Sequence, residues 1–172
     1  MENQFVKYLN IRQPSRYKNY YQVQKIPNHW KYGSGFYTIH KCGNELTEEL
    51  KILFPDLVDK STHYTRIDNL LCNYQCIYRG VPIHKDDRDF AFNYIINTGG
   101  NNVETVWYDD NYKEIHRECI EPNRWHQLKV NVLHTVEGIT NKRFGITITE
   151  SIDNPFLENW IIIYILYSGE TG

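Results

Sequence analysis

A mainly β, jelly-roll-like fold is predicted by three observations. From residue 66 onward, strand-like segments alternate with polar turns at intervals of about ten residues. No regular helix separates them, so neighbouring strands are expected to pair antiparallel. Aromatic residues make up 15% of the chain, including 14 tyrosines, a composition that suits pleated, half-buried surfaces.

The elements follow in order. The first 65 residues are mixed in texture. The glycine pair in Tyr32-Gly33-Ser34-Gly35 marks a turn before a short strand, Phe36 to Ile39. Asn44 is placed to cap a helix from about Glu45 to Phe54, where Leu46, Leu50, Leu53 and Phe54 recur at helical spacing and Pro55 stops it. Strands are then expected at Asn73–Tyr78, Phe90–Ile96, Glu104–Tyr108, Glu114–Ile120, Trp125–Val132 and Arg143–Thr149. The 172 residues suit one domain: N-terminal flanking elements over 1–65, a β core over 66–150 and a C-terminal strand or tail over 151–172.

Composition narrows the function. With 19 basic and 21 acidic residues in mixed order, and a net charge of −2, the chain has no field to gather a polyanion, which disfavours nucleic acid as a partner. The longest apolar run, Trp160 to Leu166, is too short for a membrane helix and reads as a buried strand or an interface element. The N-terminus has no signal-peptide pattern, so a cytoplasmic location is expected. Cys42, Cys72, Cys76 and Cys119 lack paired metal-site spacing and are expected to be free thiols.

Two segments have the His-x-acid pattern of a two-histidine, one-carboxylate metal site, His84-Lys85-Asp86 and His116-Arg117-Glu118. With 7 histidines and 21 acidic residues a chance match is expected, so context must choose. In the first, period-two geometry at a strand edge puts both side chains on one face. His134 lies 48 positions after Asp86, room for strands to cross the barrel and return. After Glu118, His126 and His134 follow too soon for more than a hairpin, so the second match reads as structural.

Arg143 adds a further requirement. It lies nine residues after His134, in a strand whose alternation puts Arg143, Gly145, Thr147 and Thr149 on one face and Phe144, Ile146 and Ile148 on the other. A dicarboxylate that chelates a metal at one end needs a cation at its other end, and Arg offers a two-pronged donor that stays charged. Gly145 is expected to leave space beside it. The spacing therefore points to a cosubstrate as well as a metal.

These segments, Ile83-His84-Lys85-Asp86, Asn131-Val132-Leu133-His134-Thr135-Val136-Glu137 and Arg143-Phe144-Gly145-Ile146, resemble the Fe(II)- and 2-oxoglutarate-dependent oxygenase superfamily. Trp125 through Gly138 is similar to its strand-and-turn leading into a His-x-Val element, and the likeness spans about residues 73 to 149. The resemblance implies a double-stranded β-helix, cupin-like, with flanking N-terminal helices. It implies iron on His84, Asp86 and His134, and the distal carboxylate of 2-oxoglutarate on Arg143. The implied reaction uses O2, releases succinate and CO2, and hydroxylates a small-molecule or side-chain substrate. Many members carry Ser two positions after the basic residue, where this chain has Gly145. Thr147, Tyr74 or Tyr78 is then expected to supply the second anchor, and Asn93 a further hydrogen bond to the cosubstrate. Arg88 and Trp107 are expected at the pocket mouth. The same scaffold also admits a non-catalytic or other-metal cupin-like binding protein.

Overall fold

The computed structural model describes residues 3–25, 31–33, 36–59 and 70–150. Ten strands fall into two antiparallel sheets: β1 (Val6–Tyr8), β2 (Lys31–Gly33), β3 (Tyr37–Lys41), β4 (Leu70–Ile77), β5 (Phe90–Asn97), β6 (Glu104–Tyr108), β7 (Glu114–Glu118), β8 (Trp125–Lys129), β9 (Leu133–Glu137) and β10 (Arg143–Glu150). The large sheet runs β1-β8-β5-β10-β4-β3-β2, and the small one β7-β6-β9.

Period-two alternation gives the large sheet two different faces. On one, Phe144, Ile146 and Ile148 of β10 join Cys72, Tyr74 and Cys76 of β4, Tyr94 of β5 and Trp125 of β8 in a buried cluster. Helix α2 (Asn44–Leu53) covers this face with Leu46 and Leu50, both almost fully buried, and Phe54 follows at its end. Burying apolar side chains of this size stabilises by roughly 1.5–3 kcal/mol each. The other face looks toward the small sheet. Between the two sheets lie Ala91 and Ile95 of β5, Leu128 and Val130 at β8, Trp107 of β6 and Phe5 beside β1.

Local sequence accounts for the ends of these elements. Asn44 is the first helical residue and Gly43 stands at the cap position without a side-chain bond. The expected Asn44 cap is therefore replaced by a glycine in extended conformation, with Glu45 and Lys51 complementing the helix dipole at either end. Pro55 ends the helix as expected and then opens α3 (Pro55–Asp59), where its fixed φ and missing N–H suit a first turn. A four-residue helix, α1 (Tyr20–Val23), starts with a reciprocal cap between Asn19 and Gln22. Neither α1 nor β1 has a periodic signature long enough to predict. The apolar run Trp160 to Leu166 lies outside the described residues. Among them, no helix is long and apolar enough to cross a membrane.

The N-terminal segment is tied to α2 through Glu49. Its carboxylate accepts from the backbone N–H groups of Ser15 and Arg16, the Ser15 hydroxyl and the Arg12 guanidinium, at 2.6 to 3.0 Å. Burial alone would raise the Glu49 pKa, but these donors outweigh it and hold it at about 2. The folded value is thus depressed below the unfolded one. The resulting stability is full above the ordinary carboxylate range and fades as pH falls from about 4.5 toward 2. Glu49→Gln is expected to lower stability by about 1–3 kcal/mol at pH 7. Denaturant titrations at pH 7 and pH 3 should show the gap between parent and variant shrinking at the lower pH.

Candidate metal centre

The centre is built where the chain passes from β4 to β5. His84 and His134 face each other across a two-residue antiparallel bridge and exchange both backbone bonds, His84 N–H to His134 O at 3.1 Å and the reverse at 2.8 Å. Their rings emerge side by side, with centroids 4.4 Å apart. The Asp86 N–H donates to the Val130 carbonyl at 2.7 Å, which pins the third member beside β8. One ligand atom from each of His84, Asp86 and His134 lies within 4.8 Å of the others, an arrangement that could hold a metal ion.

Proton positions follow from the neighbours. Nδ1 of His84 lies 2.8 Å from the Pro82 carbonyl, and Nδ1 of His134 lies 2.8 Å from the Val132 carbonyl. A carbonyl can only accept, so each Nδ1 carries the hydrogen and each Nε2 keeps the lone pair that a metal needs. Burial, followed by the adjacent His84, pushes the His134 pKa down to about 4, so its neutral, ligating form prevails at physiological pH. Asp86 divides its oxygens. Oδ1 stands 3.7 Å from His84 Nε2, while Oδ2 takes an ion pair from Arg88 at 2.7 Å.

Arg143 opens β10 on the face that looks into the barrel. It is buried at 8% exposure, and among the described residues no carboxylate or hydrogen-bond acceptor meets its guanidinium. Desolvation alone pulls its pKa down to about 10, so it still carries its charge at neutral pH. Asn93 and Thr147 are register partners on β5 and β10 and share that inward face.

Other expectations are corrected. Tyr74 and Tyr78 belong to the opposite face of the large sheet. Tyr74 stacks on Phe144 with ring centroids 5.6 Å apart, and its hydroxyl accepts from the Lys18 N–H at 2.7 Å. The Tyr78 hydroxyl pairs with that of Thr38 at 3.0 Å. Both tyrosines serve the helix-covered core and do not join Arg143. Gly145 does not open space for a ligand. A register shift between Phe144 and Gly145 brings β5 so close that a Cβ at position 145 would lie 2.6 Å from the Tyr94 carbonyl oxygen. Arg88 is the partner of Asp86, and Trp107 is fully buried, its indole N–H donating to the Lys129 carbonyl at 2.9 Å. In His116-Arg117-Glu118, His116 stacks on Phe5 and lies 3.1 Å from Glu118.

One buried residue escaped the sequence reading. His126 is fully buried on the inward face of β8, with Nδ1 3.2 Å from the Arg124 carbonyl and, among the described residues, no partner for Nε2. Its signal is a polar residue at an inward position of the His126, Leu128, Val130 alternation.

No family model and no curated protein matches the sequence. Comparison with solved structures does find counterparts for this fold and places it in a class. An oxidoreductase of the 2OG-Fe(II) oxygenase family from Burkholderia pseudomallei superposes with a TM-score of 0.51 at 11% identity, over 75% of this chain and 73% of its own. A prolyl hydroxylase from Trichoplax adhaerens, in complex with a hypoxia inducible factor oxygen degradation domain peptide fragment, gives 0.47 at 18% identity, over 65% and 61%. Procruciferin, an 11S globulin from Brassica napus, gives 0.41 at 10% identity, over 70% and 26%. At such identities the likeness is one of fold: a double-stranded β-helix of the jelly-roll, cupin-like kind, flanked by N-terminal helices.

His134→Ala should weaken Mn(II) binding at least ~10-fold, as read by calorimetry or by the signal of free Mn(II) in electron paramagnetic resonance. His116→Ala should bind the ion as the parent does.

Proposed function

We propose that the chain is an Fe(II)- and 2-oxoglutarate-dependent dioxygenase that acts on a C–H bond of a small molecule or side chain and releases succinate and CO2. One observation carries this reading. His84, Asp86 and His134 bring two imidazoles and a carboxylate within 4.8 Å of one another, and Arg143, on the face of β10 opposite the helix-covered cluster, is a buried guanidinium with no counter-ion among the described residues.

The donor set suits iron. Two imidazole nitrogens and a carboxylate oxygen on one side of an ion leave further coordination positions open. Iron bound there supplies the redox chemistry that couples decarboxylation of 2-oxoglutarate to oxidation of the substrate. The chain's own residues hold and orient. The Pro82 and Val132 carbonyls fix the tautomers of His84 and His134, and Arg88 ties down the Asp86 oxygen that faces away from His84. Arg143 is placed to receive the distal carboxylate of 2-oxoglutarate. A buried charge in that state carries a desolvation penalty of several kcal/mol. An incoming carboxylate would relieve the penalty with a charge-assisted pair of bonds, which favours an acid as the ligand of Arg143. Asn93 and Thr147 offer neutral hydrogen-bonding groups on the same face.

In this reading residues 1–172 form a single oxygenase domain, with the N-terminal elements bracing the helix-covered side of the large sheet. Fe(II) and 2-oxoglutarate added together without oxygen are expected to give the weak visible absorption of the chelate. Arg143→Met should remove about 2–3 kcal/mol of 2-oxoglutarate affinity, a ~30- to 150-fold rise in Kd. Succinate release against a panel of small-molecule and peptide substrates then tests turnover. Absence of the absorption, together with unchanged iron binding in His134→Ala, overturns the assignment.

A further inference from the structure

Among the described residues three buried side chains have a polar atom without a hydrogen-bond partner, Arg88, Thr105 and His126. The His126 ring is fully buried on β8, a strand with neighbours on both sides: Tyr8 of β1 is its register partner on one and Asn93 of β5 on the other. Nδ1 can only donate to the Arg124 carbonyl at 3.2 Å, so Nε2 is an acceptor with a lone pair. Among the described residues that atom has no hydrogen-bond partner. A buried, unmet acceptor of this kind is destabilising unless something arrives to meet it. The second unmet polar charge of the interior, Arg143, lies close enough for its field to act on His126.

Three of the candidate anchors for an acid beside Arg143 fall away, which leaves Thr147 and Asn93 as neutral groups on the inward face. Position 145 is closed by the backbone of β5, and Tyr74 and Tyr78 point to the other side of the sheet. We propose that His126 is the second anchor for the distal carboxylate of the cosubstrate, clasping it opposite Arg143 through a protonated Nε2. This inference rests on the Arg143 reading above and goes beyond it by naming a partner residue and a proton.

The proton balance is simple. A carboxylate and a bare Nε2 lone pair repel, so a hydrogen bond between them requires one proton taken from solvent. In the free protein burial is the main force against that proton, and the charge of Arg143 adds to it, so the pKa of His126 lies near 4. From β1 the ring of Tyr8 meets His126 edge-on with centroids 6.1 Å apart. From β5 Asn93 faces it without charge, and from β10 Arg143 supplies the opposing charge among the described residues. A bound carboxylate neutralises that charge and adds a favourable one, so acid binding and protonation of His126 become a single event.

The test is calorimetric titration of Mn(II)-loaded protein with 2-oxoglutarate at pH 7 in buffers of different ionisation enthalpy, which counts protons directly. Uptake approaching one proton per site is expected for the parent. The control acid 2-oxopentanoate, which chelates but lacks the distal carboxylate, should show no such uptake. His126→Gln, which keeps a neutral donor, should bind within ~3-fold of the parent without taking up the proton, and His126→Leu should bind ~10-fold more weakly. If the parent binds 2-oxoglutarate with no proton uptake, or if His126→Gln still takes it up, the role of His126 is overturned and the Arg143 reading stands. If the Mn(II)-loaded parent does not bind 2-oxoglutarate at all, both fall together. Should His126→Leu fail to fold, the proton counts for parent and His126→Gln decide.

Discussion

The architecture of the centre depends on one short backbone contact, the pair of hydrogen bonds between His84 and His134. A hydrogen-bonded antiparallel pair sets the spacing and direction of the two side chains it carries, so the imidazoles are aligned by the backbone before any ion arrives. The remaining contacts refine that alignment. Carbonyls at Pro82 and Val132 choose the tautomers, and the Val130 carbonyl holds Asp86 in line. This is preorganisation in the strict sense: the geometry is held by groups that do not themselves need a ligand.

Charge is treated differently inside the barrel and outside it. Glu49 is buried beneath four donors, and Arg117 on the small sheet is met by Glu104, Glu114 and Glu137 at 2.8 to 3.1 Å. At both places the charge has its complement close by. Arg143 and the Nε2 of His126 break this pattern, and both belong to strands that face the interior. Local departures from full satisfaction are a mark of a functional site rather than of folding, since folding alone favours pairing them off. Leaving them open lowers the conformational stability of the protein.

Much of this was legible in the sequence, because period-two alternation is a strong signal when strands are long. β4, β5, β6 and β10 stand within a few residues of their expected bounds, and the division of β10 into a polar and an apolar face is as expected. The His84, Asp86 and His134 set was readable for the same reason: a small spacing across a strand edge and a long return. What alternation cannot give is which face of a twice-covered sheet points inward. Both faces of the large sheet are buried, one under helices and one under the small sheet, so Tyr74 and Tyr78 look as eligible as Asn93 until the sheets are assembled. Gly145 misled for a different reason. Its role is set by a register shift between strands that are distant in sequence, and such a shift leaves no local trace. The three-residue β1 is too short to carry a periodic pattern, and Asn44 lost the cap position to Gly43 by a single residue.

The His84 bridge has one more consequence. The small sheet ends on β9, whose far side would offer unpaired N–H and C=O groups to any passing chain. His84 occupies that side, so the segment carrying two of the three candidate ligands is also the guard of an open sheet edge. The candidate ligands and the cover of that sheet edge thus belong to the same few residues. Mutational drift that loosens the loop between β4 and β5 bears on solubility as much as on chemistry.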